Sequence, residues 1–436
     1  MSRDTFSIVK IMERTLDYVD PRLMYHGRRV SYLTYKMLKE LGRRDEDYLR
    51  QMAVVALLHD IGAYKTEEID KMLGFETQKV WEHSIYGYLF IKYFSPLAEL
   101  APAILLHHAD YLRLADLYPQ HQEAAQIIKI ADRFDISVLH HRNPDLQEIR
   151  ACFESKRGEE FHPGLIDLFF AGEETNPLAG MDDDEEFREL LYGRNYSENE
   201  ADDFIKMLVL SIDFRSPQTV LHTFSSAYAC KAVTEIMGIP REERERILKG
   251  VLLHDIGKIA ISSKILNKCG RLSPEEMAVM RQHVEFTEKI LTGEVDDCVL
   301  KLAVRHHEKL DGSGYPRGLN ASSLAAGERI IAVTDIFSAL MGARSYKDPF
   351  PAAKIVEILN EMACAKQLDA DVVSVFTTHC DWIMGEVNKE TALIVEMYRR
   401  LMTEYLELEQ DMHFFNDQDS QNSKLVAPHA ADRFGA

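Results

Sequence analysis

The stretch Val251-Leu252-Leu253-His254-Asp255-Ile256-Gly257-Lys258-Ile259-Ala260 decides how this chain is read. A near copy, Ala56-Leu57-Leu58-His59-Asp60-Ile61-Gly62-Ala63-Tyr64-Lys65, stands in the first half. In both, an apolar run ends on a histidine and an aspartate, and further histidines flank the pair in the same order. The first half carries His26, His59-Asp60, His83, His107-His108 and Asp132; the second carries His222, His254-Asp255, His283, His306-His307 and Asp335. From the first His to the His-Asp pair is 33 residues in one half and 32 in the other. From the next His to the His-His pair is 24 and 23. The context of the last aspartate repeats too, IIKIADRFDI around Asp132 matching IIAVTDIFSA around Asp335. The chain reads as an internal duplication.

The repeated unit is helical. ERERILKGVLLHDIG, PAAKIVEILNEM and TALIVEMYRRLMTEYLELEQ place apolar residues three and four apart, the period of a helix with one buried face. Strict alternation is scarce, so the expected fold class is all-α, two tandem helical domains of one type. The expected division is residues 1–170 for the first domain, 171–203 for a linker or exposed helical spacer carrying Asp182-Asp183-Asp184-Glu185-Glu186, and 204–410 for the second. Residues 411–436 are expected to form a polar tail.

Composition limits the function classes. At 436 residues with 46% hydrophobic and 28% charged side chains, the chain suits a multidomain globular protein. No apolar run reaches the roughly 18 residues a membrane helix needs, and the charged N-terminus is no secretory signal, so no membrane partner and a cytoplasmic location are expected. The net charge of −20 repels polyanions, which excludes duplex nucleic acid as a partner of the whole surface. Homodimerisation is compatible with such a chain and is not decided by it. Six cysteines, none in a CxxC pair, read as buried or incidental thiols. Isolated histidines such as His121, His162 and His413 read as core residues.

Five histidines and two aspartates per half are a different matter. They are donors for first-row divalent metals, and seven are too many for one ion. Two ions sharing a bridging carboxylate accommodate them, and Asp255 beside His254 suits that bridge. Such a pair generates a nucleophile and steadies the oxygens of an in-line displacement at phosphorus, while supplying positive charge to an acidic protein.

His254-Asp255-Ile256-Gly257-Lys258, followed by His306-His307-Glu308-Lys309-Leu310-Asp311-Gly312-Ser313-Gly314-Tyr315-Pro316, resembles the HD-GYP signature of the HD phosphohydrolase superfamily. The resemblance covers about Phe204 to Glu386; the first half resembles only the broader superfamily. It implies a helical fold and a centre of two divalent ions, Fe or Mn, that hydrolyses cyclic di-GMP to pGpG or GMP. By matching position it implies that His222, His254, Asp255 and Asp335 hold one ion, with Asp255 bridging to a second held by His283, His306 and His307. Asp255 and Lys258 become the expected catalytic residues. Lys258 would contact the substrate phosphate or assist the leaving oxygen, joined in binding by Asp311, Gly312, Gly314, Tyr315, Pro316 and Arg344. Glycines there permit close approach of the backbone, and tyrosine can stack on a base. Two positions depart from the pattern. Gln218 stands where some members place a glutamate for a third ion, and Ser338 stands where many have a second aspartate.

The first half keeps all seven candidate ligands, His26, His59, Asp60, His83, His107, His108 and Asp132, and so forms a candidate second metal site. It lacks the lysine, replaced by Ala63, and the GYP loop, since Ala109-Asp110-Tyr111 follows His107-His108. A regulatory or weakly active domain is expected. Three other readings stay open: a phosphodiesterase specific for 3′,3′-cyclic GMP-AMP, a nucleotide phosphohydrolase of the wider superfamily, and a receptor that binds a cyclic dinucleotide without cleaving it.

Overall fold

A computed structural model describes residues 7–63, 81–117, 119–140, 145–171, 176–214, 221–342 and 350–416. Helices dominate, and among the described residues the only β-type pairings are isolated bridges. No described helix is long and apolar enough to cross a membrane. The chain divides into two compact units, Met12–Met207 with Leu401–Ala436, and Leu208–Arg400 with Met1–Ile11.

The same five helices recur in each unit. The first uses α1 (His26–Glu40), α2 (Glu46–Leu57), α3 (Trp81–Phe94), α4 (Ala101–Leu105) and α5 (Gln122–His140). α6 (Glu185–Tyr192) also belongs to it. The second uses α7 (His222–Ile236), α8 (Arg241–Leu253), α9 (Pro274–Leu291), α10 (Asp297–Val304) and α11 (Ala326–Met341). Local chemistry explains where several begin. The Asp45 carboxylate accepts from Asp47 N and Tyr48 N at the start of α2, and Asp296 does the same for Cys298 N and Val299 N at α10. Ser273 and Glu276 form a capping box on α9, with Pro274 where a helix needs no donor. In the second unit Ile247, Val251, Leu302, Ile331, Phe337 and Phe376 share one apolar cluster, from which the site emerges at the helix ends.

Two boundaries differ from the sequence-based division. The acidic segment is not a spacer: Asp184 caps α6, and Phe187, 1% exposed, lies edge-on to Tyr32 with ring centroids 5.1 Å apart. Its acids are the solvated side of an amphipathic helix whose apolar side is core. The polar tail also starts later, because α12 (Ala370–Asn416) continues past residue 411. Leu401, Tyr405, Leu408 and Met412, spaced four, three and four apart, are buried, and Tyr405 stacks on Tyr86 of the first unit at 4.5 Å. Glu404 accepts from Lys92 Nζ at 2.6 Å and from Tyr93 Oη. Residues 417–436 lie outside the described residues.

The cysteines are free thiols: Cys230 and Cys380 are buried, Cys152 is half-buried, and Cys269, Cys298 and Cys364 are exposed. His162 is a helix cap instead of a core residue, its Nδ1 accepting from Leu165 N at 3.2 Å. His121 is half-buried, and the His413 side chain lies outside the described residues.

Candidate metal centre

Helix ends deliver the ligands. His222 opens α7, His254 caps α8, His283 lies within α9, His306 and His307 follow α10, and Asp335 lies within α11. A helix end leaves carbonyls without intrahelical partners. Three of these rings use them or the turn before: His254 Nδ1 donates to Val251 O at 2.5 Å, His283 Nδ1 to Met280 O at 2.7 Å, and His306 Nδ1 to Ala303 O at 2.8 Å. That bond puts the proton on Nδ1 and aims the Nε2 lone pair into the centre, the tautomer a metal ligand needs. The first unit repeats it, with His59 Nδ1 on Ala56 O and His107 Nδ1 on Ile104 O.

Asp255 sits between two groups of rings. Its Oδ2 lies 3.1 Å from His254 Nε2 and 3.8 Å from His222 Nε2; its Oδ1 lies 3.4 Å from His283 Nε2 and 4.0 Å from His306 Nε2. Asp335 closes the centre, with Oδ1 2.9 Å from His222 Nε2 and Oδ2 3.5 Å from His307 Nδ1. His222-His254-Asp255 and His283-His306-His307 each bring their donor atoms within 4.8 Å of one another. The structure thus gathers all seven residues of the second half, in two sets that Asp255 and Asp335 both face.

The residues fit a pair of cations on their own chemistry. Asp255 Oδ1 and His254 Nε2 are buried without a hydrogen-bond partner, a costly arrangement unless a ligand satisfies them. Burial and then the neighbouring His307 and His254 hold His306 well below the usual imidazole range; burial chiefly brings His283 down to about 4. These rings are neutral near pH 7, as ligands must be. Burial works to raise Asp255, but His254 and Lys258 overcome it and hold the carboxylate ionised; against burial, Asp255 and Asp335 in turn push His254 up to about 10, a proton that a bound cation displaces.

Lys258 reaches back one turn, its Nζ donating to Asp255 Oδ2, and its side chain is 17% exposed at the rim. The loop after His307 is held by a residue that sequence reading passed over: Glu308, 2% exposed, accepts from Arg317 N and Leu319 N, each at 2.8 Å. This places the Tyr315 ring 4.6 Å from that of His307, with the Arg281 guanidinium 4.8 Å from the tyrosine. Tyr315–Pro316 is cis. A Cβ on Gly314 would fall 2.4 Å from Lys309 N, so only glycine fits there. Asp311 is exposed, and its Oδ1 accepts from Ser313 N at 2.9 Å, closing the turn. Arg344 and Gln218 lie outside the described residues.

Residues beyond the ligand set contribute as well. Ser338 accepts or donates at 3.1 Å to His222 Nδ1 and thereby orients the ring. Asp213, 3% exposed on the helix Glu198–Asp213, is pushed up to about 7 by burial, against Lys258 and with Asp255. In the first unit Asp135 takes the place of Ser338, its Oδ2 2.7 Å from His26 Nδ1 and its Oδ1 bonded by Arg29 Nε.

The first-unit site gathers its residues similarly. His26 Nε2 lies 3.4 Å from Asp132 Oδ1 and 3.6 Å from Asp60 Oδ2; His59 Nε2 lies 3.3 Å from Asp60 Oδ2, and His83 Nε2 3.7 Å from Asp60 Oδ1. Asp60 Oδ2 and His107 Nε2 are buried without hydrogen-bond partners. A small cleft leads to this site past Asp17, Leu23 and Ala63, with no counterpart of Lys258 on its wall among the described residues. Burial pushes Asp17 up to about 6, the bond from Tyr25 N opposing it. The folded state therefore holds that proton more tightly than the unfolded chain, and stability falls as pH rises from about 4 to about 6. Asp17→Asn is expected to stabilise the protein by about 2–3 kcal/mol at pH 8 and hardly at all at pH 4. Urea melts at the two pH values check this.

Comparison with known proteins agrees with the geometry. The HD domain family matches twice, over residues 23–137 and over residues 205–372. The chain is an HD-domain hydrolase built from two such domains in tandem. It is 27% identical over 385 residues to 3′3′-cGAMP-specific phosphodiesterase 1 of Vibrio cholerae, covering 83% of this chain and 88% of that one. Over 162 residues it is 36% identical to the cyclic di-GMP phosphodiesterase response regulator RpfG of Xanthomonas campestris, covering 36% of this chain and 43% of that one. The crystal structure of a cyclic GMP-AMP specific phosphodiesterase of Vibrio cholerae shares the fold, with a TM-score of 0.56 at 18% identity over 86% of this chain and 98% of that one.

Proposed function

We propose that the second HD domain hydrolyses a phosphodiester bond of a cyclic dinucleotide, with two divalent ions, Fe or Mn, held by His222, His254, Asp255, His283, His306, His307 and Asp335. The observation that carries the reading is Asp255, buried between two sets of histidines with one oxygen facing each. When bound, such ions offset the charge of the phosphodiester and lower the pKa of an attacking water. The chain's own residues do the rest. Nδ1-to-carbonyl bonds keep the imidazoles oriented, and Asp255 and Asp335 stay ionised. Lys258 presents a mobile ammonium at the rim to the phosphoryl oxygens or the departing oxygen. Glu308 fixes the Gly312–Pro316 loop beside His307, where a purine can lie against Tyr315.

The motif taken alone leads to cyclic di-GMP. The match to a 3′3′-cGAMP-specific phosphodiesterase over 83% of this chain and 88% of that one favours that substrate instead, since RpfG aligns over less than half its length. Side-by-side turnover by chromatography decides between them. We further propose that the first domain is regulatory, because its cleft lacks the lysine and the loop.

Lys258→Ala is expected to lower kcat by about 10²-fold while leaving metal content unchanged. Steady-state kinetics with plasma-emission metal analysis of the same sample checks this. Loss of the ions together with activity would instead make Lys258 a support of Asp255.

A further inference from the structure

We propose that the first HD domain is built to hold one divalent ion, and that the buried guanidinium of Arg133 stands in for the second.

One half of this site is complete. His26, His59, Asp60 and Asp132 converge as their counterparts do in the second unit, and Asp60 Oδ2 is left without a hydrogen-bond partner. The other half is closed by a feature the second unit lacks. Arg133, 2% exposed, inserts between Asp132 and His108: its Nε donates to Asp132 Oδ2 at 3.1 Å and its Nη2 to His108 Nδ1 at 3.2 Å. In the second unit the residue after the aspartate is Ile336, and Asp335 Oδ2 faces His307 Nδ1 directly at 3.5 Å.

The consequence follows from what a guanidinium can do. Arginine only donates and does not lose its proton in a protein. His108 Nδ1 must therefore accept, so the ring's proton resides on Nε2. That proton is aimed at His83 Nε2, 2.9 Å away. A protonated Nε2 has no lone pair for a metal, and the His83 nitrogen it meets is engaged as well. Moving the proton to Nδ1 would set it against an arginine N–H. The donor atoms of His83, His107 and His108 do come within 4.8 Å, as in the second unit, but proximity does not supply lone pairs. His107 Nε2 and the Asp60 Oδ1 that faces this half are too few to retain an ion. A fixed positive charge among these groups also repels a further divalent cation through a low-dielectric interior. The guanidinium cannot polarise a water as a metal does, so the site keeps its charge and loses two-metal chemistry.

The test counts ions in the full-length protein, reconstituted anaerobically with Mn(II), desalted and analysed by plasma emission. Wild type should carry about three ions per chain, falling to about two in His59→Ala/Asp60→Ala and to about one in His254→Ala/Asp255→Ala. His108→Ala should leave the count unchanged, and Arg133→Met should raise it by about one. Loss of two ions in His59→Ala/Asp60→Ala, loss of one in His108→Ala, or a first site that holds none would overturn the proposal. Should Arg133→Met fail to fold, His108→Ala alone still decides. A wrong count only in His254→Ala/Asp255→Ala strikes the second-unit reading and leaves this one standing.

Discussion

The His254→Ala/Asp255→Ala double variant is expected to lose cyclic dinucleotide hydrolysis by about 10³-fold or more, and His59→Ala/Asp60→Ala to keep most of it. The asymmetry rests on what surrounds each pair. Asp255 turns one oxygen to each histidine set, so its removal takes a carboxylate from both sets at once. His254 supplies a buried Nε2 whose proton is already fixed on Nδ1 by Val251 O. His59 and Asp60 occupy the same geometry, but around them stand Ala63 in place of a lysine and Arg133 in place of an isoleucine. Hydrolysis assays at saturating substrate, with circular dichroism to verify folding, separate the two variants. Persistence of activity in the first and loss in the second would reverse the assignment of the domains.

Gly257→Ala should be the most damaging single-methyl change in the second unit. A Cβ there would lie 2.0 Å from His283 O and 2.5 Å from Thr287 N, both backbone atoms of α9 that cannot rotate aside. Thr287 Oγ1 ties the same point together, accepting from Gly257 N and donating to His254 O, each at 3.0 Å. The methyl group must push α9 outward, and His283 moves with it. The expected cost is about 3 kcal/mol or more in stability, with about one bound ion lost. Gly62 is in the same position, its Cβ falling 1.9 Å from His83 O. Gly62→Ala should destabilise the first unit comparably while sparing the ions of the second. Thermal melts with metal counts check both. An alanine tolerated at 257 without loss of the ion would refute the close approach.

These two glycines show why so much of the site was legible. The His-Asp-Ile-Gly run encodes in consecutive residues a helix end, two ligands and the contact that seats the third ligand's helix. The motif and its spacing therefore carry the geometry directly. The helical fold and the seven residues that gather in the second unit could be read this way. What escaped reading depends on partners distant in sequence. Ser338 reads only as a missing carboxylate until it meets His222, and Glu308 is one more acid until its carboxylate receives Arg317 N and Leu319 N. Arg133 is a basic residue in an apolar helix, a signal of buried pairing that passed unnoticed beside Asp132. The acidic segment misled because its charges outnumber Phe187, Leu190 and Leu191, although those three decide where the helix packs.

The most direct test of the central claim is turnover itself. Protein reconstituted anaerobically with Fe(II) or Mn(II) is given cyclic di-GMP and 3′,3′-cGAMP in parallel, and products are resolved by chromatography beside the His254→Ala/Asp255→Ala variant. The account predicts linear dinucleotide from at least one substrate, 3′,3′-cGAMP foremost, and none from the variant. No product from either substrate, with two ions demonstrably bound in the second unit, would contradict it and leave a receptor or another phosphoester as the function.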